Sequence, residues 1–345
     1  MRVGIIGCGA VAKAHIPPVL RLRGVEVVAV SDLDEERAGQ VAHRYGIRHV
    51  YRDASSLLKE MRPDVVHILT PPRTHKELSV QAMEAGCQVL VEKPMALNVK
   101  EADEMIAAAR RHRVTLGVAH NLLFNPAVME AKKLVAAGAI GRVIAVETFW
   151  RMTERWRETY WMHDLPGGIF HEAAPHPVYL EREFLKSLRV VSALSKNTGS
   201  DLPIPSDELR VLFDGESGLG YLSISIGSNP YLVFLNIYGS DMMLHVDLTN
   251  NTLVRFRTSG LEKVSKALVN LDHSLQLLSR TAANSMQTLL GRRTHGHETL
   301  ITQFYESLRT ATEPPVTGED GRAVVAVLDH IWAVLGSTRA KREGE

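Results

Sequence analysis

Short aliphatic runs alternate with helix-length segments through the first 120 residues, and a glycine-rich turn joins the first run to the first helix. Runs at 3–6, 25–30, 65–69, 88–91 and 114–118 are apolar almost throughout, the pattern of parallel strands covered on both faces. Between them, 10–23, 34–45, 75–85 and 99–112 read as helices. Strand–helix–strand order of this kind closes into a doubly wound parallel sheet with right-handed crossovers. Pro17 and Pro18 fall inside the first helix, which predicts a kink or a restart there.

After about residue 140 the pattern changes. Candidate strands follow one another with few helices between them, at 142–150, 189–196, 208–213, 219–226, 232–238, 243–248 and 253–257. Leu222, Ile224 and Ile226 alternate with Tyr221, Ser223 and Ser225, so one face is apolar and the other polar. This predicts a second domain of α+β type with a large, mainly antiparallel open sheet. The domains are expected at 1–121 and 122–345, with a helical insertion at about 259–296. In that insertion apolar residues fall at 261, 264, 268, 271, 275, 278 and 282, a strict 3–4 alternation. It predicts a long amphipathic helix or helical hairpin, whose stripe covers its own domain, contacts a second subunit or lies on a membrane surface.

The 345 residues, 45% of them apolar, suffice for two cores. A formal net charge of +1, with no basic block, argues against nucleic acid as the main partner. No apolar run approaches the roughly 18–20 residues that span a bilayer. The N-terminus lacks a signal-peptide pattern. Two cysteines, Cys8 and Cys87, give neither a disulfide framework nor a metal cluster. The expectation is a cytoplasmic protein that binds no metal.

Gly7-Cys8-Gly9-Ala10-Val11-Ala12 follows the first strand and opens the first helix. It is the G-x-G-x-x-A form of the dinucleotide fingerprint, so the first domain is expected to be a Rossmann domain. Gly7 permits the turn, Gly9 lets the backbone approach a pyrophosphate, and the helix N-terminus favours its charge. Asp32 ends the second strand, where a carboxylate accepts hydrogen bonds from ribose hydroxyls and repels a 2′-phosphate. NAD is therefore favoured; Arg37 keeps NADP open. Thr70 and Pro71 end the third strand and Glu92-Lys93-Pro94 the fourth, all at the carboxyl edge where open α/β sheets bind ligands. His75 serves either the cofactor or the structure. Lys93 is a fixed cation suited to a substrate hydroxyl and to developing alkoxide charge. Glu172 and His176 lie four apart, on one face if the segment is helical, and His is the natural proton carrier near neutral pH. Pro175 and Pro177 make a regular helix doubtful there.

Taken in order, GCGAVA, Asp32, TPPRTH (70–75), AGCQVLVEKP (85–94), HNLLFNP (120–126), the GG…E…H segment (167–176) and EPPVTGEDGR (313–322) closely resemble the Gfo/Idh/MocA family. The resemblance covers nearly the whole chain. It implies NAD(P)-dependent oxidation or reduction of a secondary alcohol on a sugar, nucleotide sugar or cyclitol. It also implies a homodimer or homotetramer, often through the open sheet. Lys93 matches the family lysine that contacts substrate and nicotinamide, and His176 the histidine that exchanges the hydroxyl proton. Glu172 stands where members usually have Asp, one methylene longer. Asn121 lines the cofactor pocket in this reading, and a cis peptide is expected at Lys93–Pro94. Arg151, Arg155, Trp156, Trp161 and His163 precede the Gly-Gly turn and read either as a substrate rim or as packing. Two alternatives to a net dehydrogenase stay open: an NAD-dependent, net non-redox glycosidase, and a regulatory NAD-binding protein without turnover.

Overall fold

The computed structural model describes all residues except 153–161, 200–203, 258–262, 291–295 and 344–345, and leaves the side chains of 263–266 and 338–343 undescribed. By internal contacts the chain divides into two compact units, Met1–Asn121 with His297–Ala326, and Leu122–Gly296 with Val327–Glu345. Residues 297–326, expected with the second domain, therefore belong to the first unit. Ile301, Phe304 and Tyr305 are fully buried in one cluster with Val3, Ile5, Val65 and Leu90. Helical periodicity alone does not say which core an amphipathic helix completes.

The first unit carries β1 (Arg2–Ile6), α1 (Ala12–Arg21), β2 (Glu26–Ser31), α2 (Glu35–Tyr45), β3 (His49–Tyr51), α3 (Ala54–Met61), β4 (Val65–Ile68), α4 (His75–Glu84), β5 (Gln88–Val91), α5 (Val99–His112) and β6 (Leu116–Val118). All sheet pairings are parallel, in the order β3-β2-β1-β4-β5-β6. The four residues of β4 are all buried, as expected of a strand covered on both faces. Asp34, Asp53 and Asn98 cap α2, α3 and α5 by accepting a backbone N–H. α1 runs unbroken through Pro17 and Pro18, against the predicted restart. The two missing N–H groups cost the carbonyls of Lys13 and Ala14 their helical partners, at an exposed and a half-buried position.

The second unit begins with α6 (Pro126–Ala136) and β7 (Val143–Met152), followed by α7 (Ile169–Ala173) and α8 (Pro175–Leu185). Six strands complete its sheet: β8 (Leu188–Lys196), β9 (Glu208–Gly215), β10 (Leu219–Ile226), β11 (Leu232–Gly239), β12 (Met242–Asp247) and β13 (Thr252–Arg257). The order is β13-β12-β11-β7-β10-β9-β8, with β7 and β10 parallel and the other pairs antiparallel. α9 (Lys263–Leu289) realises the predicted long helix, and α10 (Gly296–Thr310) and α11 (Gly318–Glu343) end the chain. Leu268, Leu271, Leu275 and Leu278 of α9 are exposed, so the stripe does not cover its own domain. Among the described residues, no helix is long and apolar enough to cross a membrane.

Candidate active site

Within the first unit, the glycine turn forms a cradle. Gly7 has φ +100°, and a Cβ there would sit 2.6 Å from the Leu69 carbonyl carbon. Only glycine fits that turn. At Gly9 a Cβ would meet nothing within 4 Å, so the backbone faces open space. No side chain caps the N-terminus of α1 and its first turn holds no acid, which leaves its amides to an anion. Asp32 Oδ2 accepts the Cys8 N–H at 2.8 Å and Oδ1 accepts the Asp34 N–H at 3.0 Å. These bonds fix the carboxylate at the end of β2. Arg37 stands 3.6 Å from it but lies 2.9 Å from Asp34. The open cradle and the anchored acid fit the pyrophosphate and the ribose of a dinucleotide. Burial, then the Asp32 charge, pushes the Cys8 thiol up to about 12, so this side chain packs and stays protonated.

His75 is fully buried and straps two loops together: Nδ1 lies 2.8 Å from the Pro94 carbonyl and Nε2 lies 2.7 Å from that of Thr70. Burial lowers its pKa against the pull of both carbonyls. The ring thus ties the Thr70-Pro71 loop to the cis Lys93–Pro94 turn. Thr70 Oγ1 accepts from Thr74, Pro71 is exposed, and Lys93 is half-buried.

Glu92, expected to serve the cofactor, instead anchors a buried network that sequence reasoning missed. Its Oε1 lies 2.9 Å from His15 Nε2 and 3.5 Å from His297 Nε2, and its Oε2 accepts the Lys93 N–H at 3.1 Å. His15 Nδ1 meets His67 Nδ1 at 3.0 Å, and His67 Nε2 meets the Tyr305 hydroxyl at 3.0 Å. Asn121 Nδ2 lies 3.3 Å from His297 Nδ1. One proton assignment fits every distance. Tyr305 donates to His67, His67 to His15 and His15 to Glu92; on the other side Asn121 donates to His297, which donates to Glu92. Despite burial, the donors from His15 and His297 hold the Glu92 carboxyl well below the usual range. Burial drives the pKa of His67 well down and that of His15 down. The His15, Glu92 and His297 donor atoms lie within 4.8 Å of one another, a metal-like spacing. A cation held by all three would displace the protons that His15 and His297 give to Glu92.

In the second unit, Pro175 takes the first position of α8 and Pro177 its first turn, where a missing N–H costs no helical bond. Ala174 is itself helical. The expected doubt over a single regular helix holds: α7 ends at Ala173 and α8 begins at Pro175, so Glu172 and His176, both half-buried, lie on two successive helices. His176 Nδ1 lies 2.7 Å from the Tyr179 hydroxyl, which also accepts the Leu122 N–H at 3.1 Å. The imidazole stacks on Trp150, with centroids 5.0 Å apart and planes at 17°. Tyr179 and Trp150 were not singled out as site residues; a His-x-x-Tyr spacing on a helix was the available signal. Gly167 packs under the Trp332 indole, whose Nε1–H donates to His171 Nδ1 at 3.0 Å.

Of the five substrate-rim residues, Arg151 and His163 are described. Trp150 lies on the buried face of β7, so Arg151 points to the opposite face, away from His176. There it donates to Ser223 and lines a shallow cavity of about 500 Å³ with Lys196, Glu208 and Arg210. His163 is half-buried in the turn before Gly167. Arg155, Trp156 and Trp161 lie outside the described residues.

Residues 1–120 match the model of an oxidoreductase family described as an NAD-binding Rossmann fold, and residues 128–245 match the GFO/IDH/MocA C-terminal domain. Oxidoreductase P35 of Formosa agariphila is 33% identical over 51% of this chain and 58% of its own length. D-apiose dehydrogenase of Paraburkholderia graminis is 35% identical over 40% of this chain and 36% of its own length. The chain thus spans less than two thirds of either relative. The crystal structure of the WlbA dehydrogenase from Bordetella pertussis, in complex with NADH and UDP-GlcNAcA, superposes with a TM-score of 0.79 at 21% identity, covering 98% of this chain and 96% of that one. That likeness concerns the fold.

Proposed function

Because this chain belongs to the GFO/IDH/MocA family and its first unit is an NAD-binding Rossmann domain, we propose that it is an NAD-dependent dehydrogenase or reductase of a sugar, nucleotide sugar or cyclitol. The observation that carries this reading is His176: Tyr179 holds its Nδ1, and Trp150 holds its ring plane. When Nδ1–H donates to the phenol oxygen, Nε2 carries the basic lone pair. An oriented imidazole of this kind suits proton transfer near neutral pH.

Bound NAD supplies the hydride acceptor, and its reduced form the donor. Gly7, Gly9 and the α1 N-terminus hold the pyrophosphate; Asp32 takes the ribose hydroxyls and disfavours a 2′-phosphate. Thr70, Pro71, His75 and Asn121 shape the rest of that site. The Lys93 ammonium donates to the substrate hydroxyl and stabilises negative charge on its oxygen. His176 Nε2 takes the hydroxyl proton in oxidation and returns it in reduction. Glu172 accepts from a neighbouring hydroxyl, and its added methylene selects a substrate set differently from one that fits Asp. Both cysteines are buried free thiols, which suits a reducing, cytoplasmic setting, and the working form is a homodimer or homotetramer.

The test is net NADH formation on a panel of sugars, nucleotide sugars and cyclitols. Lys93→Ala and His176→Ala are expected to lower turnover by orders of magnitude with NAD binding retained. Unchanged turnover in both variants sinks the assignment, and NAD binding without net NADH on any substrate returns the non-redox or regulatory reading.

A further inference from the structure

The orientation of α9 reverses the usual rule for a surface helix. Between residues 267 and 290, only Val269, His273, Gln276, Arg280 and Asn284 are half-buried; all others are exposed. These five recur at helical spacing, so the helix docks by a mostly polar face. The contacts are specific. Arg280 pairs with Glu130 of α6 through both guanidinium nitrogens, at 2.6 Å each. Gln276 exchanges two bonds with the Arg255 backbone of β13, and Asn284 Nδ2 donates to the carbonyls of Asn250 and Asn251. The His273 ring lies 4.0 Å from that of Phe256. The opposite face presents Leu268, Leu271, Leu275 and Leu278, which are 61%, 56%, 55% and 67% exposed.

The spacing of these leucines is the a/d pattern of a coiled-coil seam, narrower than the broad stripe of a helix that covers a flat core. Asp272 and Arg280 are the only charged residues between 267 and 290. Arg280 is taken by Glu130 and Asp272 by Gln276. Lys263 and Lys266 in the first turn are the other cations of the helix, so no cationic row runs along the leucine face as it does on an amphipathic helix held to anionic lipid. Of the positions flanking the seam, Ala267, Ser274, Ser279 and Thr281 are neutral and Asp272 is charged; in a parallel pair Asp272 faces Ala267 of the second copy, so no like charges meet.

We propose that the leucine face of α9 binds the same face of α9 in a second copy of this chain, forming an intermolecular two-helix coiled coil. Either chain direction stacks the four leucines into layers: Leu268 opposite Leu278 when antiparallel, Leu268 opposite Leu268 when parallel.

Sedimentation velocity of the full chain at micromolar concentration, against Leu271→Asp/Leu275→Asp, tests this. Both substitutions fall on exposed positions, and an unchanged far-UV dichroism spectrum and melting temperature confirm that the variant is folded. The expected result is a halving of the mass. A second measurement uses oxidation of Leu268→Cys/Leu278→Cys, whose two thiols are ten residues apart and so cannot bridge within one helix. Its covalent dimer is expected on a non-reducing gel, and a dimer from Leu268→Cys alone assigns the parallel direction. An unchanged mass together with no cross-link overturns the proposal. So does phosphatidylglycerol-vesicle binding that the double Asp variant abolishes while its mass stays the same.

Discussion

Lowering the pH from 6.5 to 5.5 is expected to destabilise the first unit steeply. His15, His67 and His75 are fully buried, and burial lowers the pKa of each. An unfolded histidine titrates near 6.5. Below that pH the unfolded chain binds protons that the folded unit refuses, so stability falls as pH falls, until each depressed folded value is reached. Each such proton is worth about 1.4 kcal/mol per pH unit. Three of them set a limiting slope of about 4 kcal/mol per unit, a large part of the roughly 5–15 kcal/mol that holds a typical domain. Glu92 has a depressed folded value too, but its contribution is lost only below the ordinary carboxylate range, near 4.3, outside this window. Urea unfolding at stepped pH, read by hydrogen exchange in β1, β4 and β5, measures the slope. Tryptophan fluorescence would not, because Trp150, Trp156, Trp161 and Trp332 all belong to the second unit. His75→Gln is expected to reduce the slope by at most one proton's worth, about 1.4 kcal/mol per unit. A flat wild-type profile between pH 6.5 and 5.5, or a slope that this substitution leaves unaltered, refutes the reasoning.

Three further outcomes follow from the geometry. Gly9→Val fills the open side of the cradle, so calorimetry should show NAD affinity reduced at least 100-fold with little change in melting temperature; Gly7→Ala, forced to φ +100° against the Leu69 carbonyl, should instead cost about 1–3 kcal/mol of stability. Tyr179→Phe removes the partner of His176 Nδ1 and should lower kcat about tenfold or more with NAD affinity unaltered; an unchanged kcat and pH profile would deny Tyr179 its positioning role. Burial, opposed by Thr148 and aided by the Glu147 charge, raises the Glu181 carboxyl well above its ordinary value. The wild-type chain therefore loses about 1.4 kcal/mol of stability per pH unit from about 4.3 up to that folded value. Glu181→Gln should stabilise the second unit at pH 7, and a gain that persists undiminished at pH 4 would contradict the assignment.

Much of the fold was legible because buried parallel strands read as unbroken aliphatic runs. What escaped was short or exposed. β3 is a three-residue edge strand with two exposed positions, and α3 has only eight residues behind its Asp53 cap. The glycine turn, Asp32 and the Glu172–His176 pair could be named as candidates because their chemistry is local in sequence. The Glu92 network was not, since its contacts join residues 52, 77 and 238 positions apart. No periodicity reports on pairings at that range. The 3–4 pattern of α9 announced a helix but not its orientation. Which face turns inward was decided by Glu130, Asn250 and Asn251, which happen to answer Arg280 and Asn284.

The return of residues 297–326 to the first unit bears on how the protein is made. Gly117 of β6 lies under the Phe304 ring, with room for no Cβ, and pairs with Thr317. When the ribosome has finished residue 121, the nascent cofactor domain thus exposes an apolar surface that Ile301, Phe304, Tyr305 and Leu308 help to close. Those residues emerge some 175 positions later, roughly 10–35 s at about 5–20 residues per second. Throughout that interval His67 also waits for Tyr305, and Glu92 for His297. Synthesis of this chain therefore includes a period in which its N-terminal unit is a natural client for a chaperone, and a stop codon anywhere before 297 leaves that unit permanently open.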